Sequence, residues 1–307
     1  MKVVIAGGSG LVGRALVAQL SAERSDVTVL SRSTRPVPDA TVVRWEAIHA
    51  GAWREAFDGA DAVVNLCGAS VGTRPWTPRR RAELIRSRIE PTRALVEAIA
   101  AIPSERRPRA LVNASGTDVY QGTDELPATE ASPPADTFLG RLVLAWEAEA
   151  RRAEALGVRV SLARMSLVVG PGSAAVRLVA LPARLGFGGP IGDGRQWVSW
   201  IDLRDAAAIL GLLTRDGAPA GPVNVCAPDA VPQAELGRIL ARIWGIPLRL
   251  PVPAAPLRLV LREQSALALG SRRVSSARIE SAGHVFAHAD LEASLRWALG
   301  RPARRPG

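Results

Sequence analysis

Across the first half of this chain, short apolar runs alternate with longer amphipathic stretches. The runs Val3-Val4-Ile5-Ala6, Val27-Thr28-Val29-Leu30, Thr41-Val42-Val43-Arg44-Trp45, Ala62-Val63-Val64-Asn65-Leu66 and Ala110-Leu111-Val112-Asn113-Ala114 read as strands, as does 158–164. Most are apolar at successive positions rather than at every second one. That is the pattern of strands covered on both faces. Residues 11–23, 79–101 and 138–156 read as helices between them. The alternation predicts an α/β protein with a doubly wound parallel sheet.

After about residue 165 the pattern changes. Gly170-Pro171-Gly172, Pro182 and the run from Gly186 to Gly192 break the chain into shorter segments. Helices are expected at 203–214 and 233–244, and Pro222-Val223-Asn224-Val225 reads as a strand returning to the main sheet. The predicted organisation is a dinucleotide-binding unit over 1–165, joined by 222–227, and a smaller C-terminal substrate-binding region over 166–300. Residues 301–307 read as a flexible tail.

Composition narrows the class. With 48% apolar and 22% charged residues the chain supports a core and a soluble surface, and no apolar run reaches the ~18 residues of a membrane span. The start breaks at Gly7 before any signal-peptide core forms, and only Cys67 and Cys226 are present. A cytoplasmic protein without membrane partners fits both facts. The net charge of +10 rests almost wholly on arginine, Lys2 being the sole lysine. The densest group, Arg74, Arg79, Arg80, Arg81, Arg86 and Arg88, reads as a solvated helix face or an anion-binding segment. No helix-turn-helix, zinc or RNP-like pattern accompanies it, so no nucleic-acid partner is expected. His284 and His288 have i, i+4 spacing, but neither Glu nor Cys joins them and His49 is isolated, so no metal site is expected.

The first turn carries the chemistry. Gly7-x-x-Gly10-x-x-Gly13 follows a strand and opens a helix. Glycines at that spacing permit a tight turn, close approach of backbone to a pyrophosphate and close helix–strand packing. Gly7, Ser9, Gly10, Leu11, Val12 and Gly13 therefore form the expected grip of a Rossmann-type dinucleotide site. The second strand ends Leu30-Ser31-Arg32-Ser33 and lacks the Asp or Glu that binds the ribose of NAD. Ser31 and Arg32 suit a 2′-phosphate, so NADP is the expected cofactor. Leu66, Cys67 and Gly68 close the fourth strand at the same edge, where small residues admit the cofactor. Cys67 reads as a packing residue. Arg88 of the basic segment and Arg164 and Met165 at the end of the sixth strand complete the expected cofactor set.

The glycine turn, Asn65-x-x-Gly68 and the segment from Ser115 to Tyr120 together resemble the extended short-chain dehydrogenase/reductases. Trp76-Thr77, Ser87-Arg88, Thr92 and the run Gly188-Gly189-Pro190-Ile191-Gly192-x-Gly194-Arg195-Gln196-x-x-x-Trp200-Ile201 are similar to one atypical subgroup, the "epimerase family". Leu269-Gly270-Ser271-Arg272-Arg273-Val274 and Ala282-Gly283-His284-Val285-Phe286 resemble its small C-terminal domain. The resemblance implies NADP(H) binding and an extended-reductase fold. The chain departs from the subgroup at Asp202, where histidine is usual, and at Asp118, Val119 and Gln121 around Tyr120.

Ordinary reductases of this kind use a Tyr-x-x-x-Lys pair and a serine. Tyr120 is the only tyrosine here, and the pair's positions hold Phe138 and Leu142. Three readings follow, in falling order. In the first, the chain is an oxidoreductase or epimerase that uses Ser115, Thr117 and Tyr120, with help from Asp118, Arg141 or Asp202, on a carbonyl or carbinol centre. In the second it binds NADP(H) without turnover, as a sensor; in the third its basic surface binds nucleic acid. Arg195, Gln196 and Trp200 offer donors and a ring face to a small-molecule substrate, an anionic one included. A homodimer is compatible with the sequence. Asp202 and Asp205 also read as caps of the helix near Leu203.

Overall fold

The computed structural model describes residues 1–48, 51–122, 126–186, 189–246 and 250–301. His49, Gly188 and the tail beyond residue 301 lie outside them. Six strands come in chain order: β1 (Lys2–Ala6), β2 (Asp26–Ser31), β3 (Thr41–Arg44), β4 (Ala62–Asn65), β5 (Ala110–Gly116) and β6 (Arg159–Met165). Short strands β7 (Leu167–Val169), β8 (Trp197–Val198) and β9 (Trp200–Asp202) follow, then β10 (Gly221–Val225) and β11 (Val231–Pro232). The main sheet has the order β10-β6-β5-β4-β1-β2-β3, and every pairing in it is parallel. The strand expected to return from the second half does so, beside β6.

Helices α1 (Leu11–Ala22), α2 (Pro78–Ala100), α3 (Phe138–Arg151), α4 (Ala174–Arg184) and α5 (Leu203–Leu213) are followed by α6 (Gln233–Trp244) and four shorter ones. These are α7 (Ala254–Leu261), α8 (Ala266–Leu269), α9 (Ala277–Ser281) and α10 (Leu291–Ala298). The period of two in a strand divides the sheet's side chains between two cores. Val3, Ile5, Val29, Val64 and Val112 pack with Leu16, Leu20, Ile209 and Leu213 of α1 and α5. Val4, Ala6, Leu30, Val63 and Leu111 pack with Leu95 and Ile99 of α2 and Ala150 of α3. Burial on both faces explains the continuous apolar runs. The stretch 138–156 is not one helix: α3 ends at Arg151, a 3₁₀ turn covers Arg152–Leu156, and Gly157 stops it at φ +78°.

A third core joins α4, α6 and α10 through Val176, Leu236, Leu240 and Leu295 around Trp200. Residues 271–275 thread between two earlier segments. Arg272 N donates to Trp197 O (2.9 Å), Ser199 N to Arg272 O (3.1 Å), and Ala128 N to Arg273 O (2.7 Å). Among the described residues no helix is long and apolar enough to cross a membrane, and no three His, Cys, Asp or Glu side chains could hold a metal ion.

Asp202 caps α5, as its position suggests, accepting from Arg204 N at 2.8 Å. Its second role was not legible. It pairs with the Arg204 guanidinium at 2.9 Å and accepts from Ser294 Oγ of α10 at 2.7 Å. Asp205 is not a cap; it accepts from Ala287 N and His288 N and so anchors the C-terminal segment. Burial pushes the Asp202 carboxyl up, but the hydrogen bonds from Arg204 and Ser294 outweigh it and hold it below the usual range. A depressed folded value gives stability above the unfolded value, lost as pH falls through the folded one. Asp202→Ala should lower stability at neutral pH by about 2 kcal/mol. Denaturant titrations should show the gap between variant and parent closing as the pH drops into the carboxylate range. A gap constant with pH would count against the charge contribution.

Candidate functional site

The groove between β1 and β4 is built by missing side chains. Gly7 has φ +78°, and a Cβ there would lie 3.0 Å from the Leu66 carbonyl. A Cβ on Gly13 would stand 2.5 Å from Gly8 Cα and 2.7 Å from Gly7 O. The turn is thus pressed against the end of β4, and α1 against the turn. Gly10 opens α1 with no side-chain cap and no acidic residue in the first turn. The first-turn amides of Leu11, Val12 and Gly13 therefore lack intrahelical acceptors, and the positive end of the helix faces the groove.

At the tip of β2, buried Ser31 donates to Ser9 Oγ (3.4 Å) and accepts from Ser33 N (3.2 Å). Arg32 is exposed beside them. Burial pushes the Cys67 thiol up to about 12, and the Arg32 charge pulls weakly the other way. A thiol held protonated is a poor nucleophile.

Beneath the groove a buried polar network ties four elements. Asn65 Nδ2 donates to Thr92 Oγ1 (2.8 Å) and Asn113 Oδ1 (2.7 Å), and Trp146 Nε1 donates to Thr92 Oγ1 (2.9 Å). Beside it Ser87 Oγ accepts from Ala69 N at 3.0 Å, fixing the loop after β4. Arg88 donates to Leu84 O and Ala69 O, each at 3.1 Å, and lies over the Trp146 ring at 5.1 Å.

The tips of β5 and β6 hold a different arrangement from an open catalytic pair. Ser115 Oγ donates to Glu147 Oε1 of α3 at 2.6 Å. Arg164 grips the same carboxylate through Nε and Nη2, both at 2.8 Å, and donates from Nη1 to the Tyr120 hydroxyl at 2.9 Å. That hydroxyl donates to Asn224 Oδ1 of β10 at 2.6 Å. Tyr120 is 3% exposed, and burial pushes its hydroxyl up to about 12 against the pull of Arg164. Thr117 is buried and directs Oγ1 to Met165 O at 3.4 Å. The expectation that Ser115 and Tyr120 present free hydroxyls to a substrate is corrected here, because both are enclosed and spoken for. Arg164 is corrected likewise: its guanidinium is used inward, on Glu147 and Tyr120. Met165 stays half-buried at the strand end.

Phe138 and Leu142 pack with Leu84 and Leu139, and Trp76 meets the Phe138 ring edge-on at 5.3 Å. From the C-terminal region Glu263 accepts from Phe138 N (3.0 Å), and Gln264 donates to Arg74 O (3.1 Å). Two of the three substrate residues are also corrected. Trp200 is 1% exposed and donates to Asp229 O at 2.9 Å; Gln196 is buried and donates to Ile191 O at 2.9 Å and Ala268 O at 3.2 Å. Arg195 is exposed. Of the residues named as helpers, Asp202 is buried at the start of α5 and Arg141 pairs with Asp136 at the surface. Asp118 remains half-buried on the rim, 2.9 Å from Arg272.

Glu147 and Asn224 were missed. Glu147 had a signal: it lies on the apolar stripe of α3 with Val143 and Ala150. A carboxylate on a buried face requires a cationic partner.

This groove and sheet define a dinucleotide-binding extended reductase, and the chain belongs to the NAD dependent epimerase/dehydratase family, whose model matches residues 3–226. Residues 252–298 match a domain of unknown function, DUF1731. Among its relatives, epimerase family protein YfhF of Bacillus subtilis is 33% identical over 298 residues, covering 96% of this chain and 97% of YfhF. The crystal structure of human epimerase family protein SDR39U1 with NADPH is similar over 98% of this chain and 99% of that one, at 31% identity and a TM-score of 0.85. A nucleoside-diphosphate sugar epimerase from Corynebacterium glutamicum is 30% identical with a TM-score of 0.75, over 97% of this chain and 58% of that one.

Proposed function

We propose that this chain binds NADP(H) across the Gly7–Gly13 groove and is an oxidoreductase or epimerase acting on a carbonyl or carbinol centre of a polar metabolite. The observation that carries the cofactor reading is the uncapped start of α1, pressed by Gly7 and Gly13 against β4, with Arg32 where a carboxylate would select NAD. Leu11, Val12 and Gly13 would hold the diphosphate through their amides. Ser9, Ser31 and Arg32 would hold the 2′-phosphate, and the backbone of 66–68 would flank the other half. The NADPH in the SDR39U1 structure supports the same choice.

The bound cofactor supplies or accepts the hydride. The chain's own task is to orient it and to manage one proton. Tyr120 is poorly suited, since burial makes its proton harder to release. Asp118 is the proposed proton-transfer group: a half-buried carboxylate, ion-paired with Arg272, that accepts the proton when a carbinol is oxidised. The substrate would enter between the sheet's carboxyl edge and the 166–300 region. The apolar Phe138 and Leu142 and the enclosed Tyr120 favour a second reading, an NADP(H) sensor without turnover.

Fluorescence titration with NADPH and NADH tests the cofactor. The parent should prefer NADPH, and Arg32→Ala should weaken NADPH by about 10–100-fold while sparing NADH. Equal affinities in the parent would remove the role given to Arg32. NADPH consumption with a panel of aldehydes and ketones separates enzyme from sensor. Turnover that Asp118→Asn abolishes without loss of NADPH affinity supports the enzyme; tight binding with no consumption supports the sensor.

A further inference from the structure

We infer that the rim formed by α4 and α7 docks on an anionic lipid bilayer, with its leucines at the acyl boundary and its arginines on the phosphates. Nothing in this depends on the NADP(H) reading. The length of apolar runs speaks only to spanning a membrane; lying on one needs no run long enough to cross.

The two helices share one rim. Beyond α4, Gly189 N donates to Leu250 O (3.1 Å), Val252 N to Pro190 O (2.8 Å) and Gly192 N to Val252 O (2.9 Å). These bonds join the chain leaving α4 to the chain entering α7. At the other end the loop 71–74 touches both. A Cβ on Gly72 would lie 3.1 Å from Leu178 Cδ1 of α4, and Gln264, three residues past α7, donates to Arg74 O at 3.1 Å. Pinned in this way, α4 and α7 run in opposite senses along the same edge.

Along that edge apolar side chains face water. α4 buries Val176, Ala180 and Ala183. Its opposite side carries Leu178, Leu181 and Leu185, spaced i, i+3 and i+7; all three are exposed, Leu185 by 65%. α7 reads Ala-Ala-Pro-Leu-Arg-Leu-Val-Leu, and none of its residues is buried. Leu259 is 81% and Val260 76% exposed, and Leu250 stands exposed ahead of the helix. Single exposed leucines are ordinary; six large apolar side chains on one rim mark a contact surface.

The charges select the partner. α4 carries Arg177 and Arg184, seven apart beside the leucine stripe, and no acidic residue. α7 carries Arg258 and no acidic residue, and Arg262 follows it. All four arginines are exposed, and among the described residues no carboxylate pairs with any of them. The next acids along the chain are engaged: Glu263 pairs with Arg81, and Asp193 accepts from the backbone N of exposed Arg195. A second copy on this face would set arginine against arginine. A purely polar polyanion would leave the leucines in water. A bilayer with anionic headgroups satisfies both, because apolar side chains reach the acyl boundary while guanidinium groups hold phosphates.

Vesicle flotation tests the docking. The full chain should partition onto vesicles of phosphatidylcholine and phosphatidylglycerol in equal parts, and far less onto phosphatidylcholine alone. Leu259→Gln with Val260→Gln should weaken partitioning by about 100-fold, since two side chains no longer leave water. Arg177→Gln with Arg184→Gln should weaken it by about 10–30-fold. Arg24→Gln with Arg106→Gln removes the same charge at the amino edge of the sheet, ahead of β2 and β5, and should change it by less than about twofold. Leu185→Gln repeats the test from α4 if the α7 variant does not fold. Three results would each overturn the inference: no flotation of the parent on anionic vesicles, flotation untouched by the leucine variants, or equal losses from the two arginine pairs. Light scattering covers the rival occupant. A dimer that the leucine variants break, in a parent that does not float, makes the rim an interface between copies and overturns it as well.

Discussion

Gly13→Ala should abolish measurable dinucleotide binding while the protein remains folded. The added methyl would lie 2.5 Å from Gly8 Cα and 2.7 Å from Gly7 O, against an ordinary carbon contact of about 3.5–4.0 Å. Both neighbours are backbone, so no side chain can swing aside. Either α1 moves off the turn or the turn unwinds. Both separate the first-turn amides from the place where a diphosphate would lie. Losing two amide bonds to a charged group, at about 1.5 kcal/mol or more each, is worth at least about 100-fold in affinity. The overpacking itself should cost about 1–3 kcal/mol of stability. Gly211→Ala on α5 is the comparator, since its nearest contact is an ordinary 3.8 Å to Leu20. It should bind normally and be slightly more stable. Titration and denaturant melts of the two variants give the comparison. NADPH affinity preserved in Gly13→Ala would remove the steric account of the groove.

The largest stability loss is expected at Glu147. Its carboxylate is 3% exposed and is held by both forks of Arg164 and by Ser115. Burial alone would lower the Arg164 pKa, yet the bonds and charge of Glu147 raise it above its ordinary value. Glu147→Leu leaves that guanidinium buried with only neutral partners. Such single deletions cost about 3–5 kcal/mol, because an uncompensated charge remains. A melting temperature lower by on the order of 10 °C follows for a chain of this size. Adding Arg164→Met removes the stranded charge and should recover more than half of the loss. If the double variant is no more stable than Glu147→Leu, the pair is not the source of the penalty.

The parts of this molecule that could be read from its sequence are those set by local sterics. The strands follow from apolar runs of fixed length, and β10 was visible because Pro222 to Val225 is a buried-strand pattern amid Gly-rich chain. The glycine turn was legible because each glycine answers to a neighbour within a few residues or to the next strand. The β5–β6 tip was not. Ser115 and Tyr120 have the right residue types beside the right strand, but their partners lie 32 and 104 residues away in sequence. The same distance hid the fate of Gln196, whose amide is taken by Ala268, 72 residues on. Polar side chains announce chemistry equally when they face a substrate and when they close a core. Only their partners distinguish the two.

The stitching of residues 271–275 has a consequence for synthesis. Ser199 Oγ both donates to Arg272 O and accepts from Val274 N, more than 70 positions downstream. Ala128 waits still longer, for Arg273 and Ser275. While the ribosome is making the second half, these amides and hydroxyls have no protein partner, though the seven-stranded sheet is already complete at Val225. Until residues 271–275 have emerged, the nascent protein holds every strand of its main sheet while Ala128 and the 197–199 segment lack these partners.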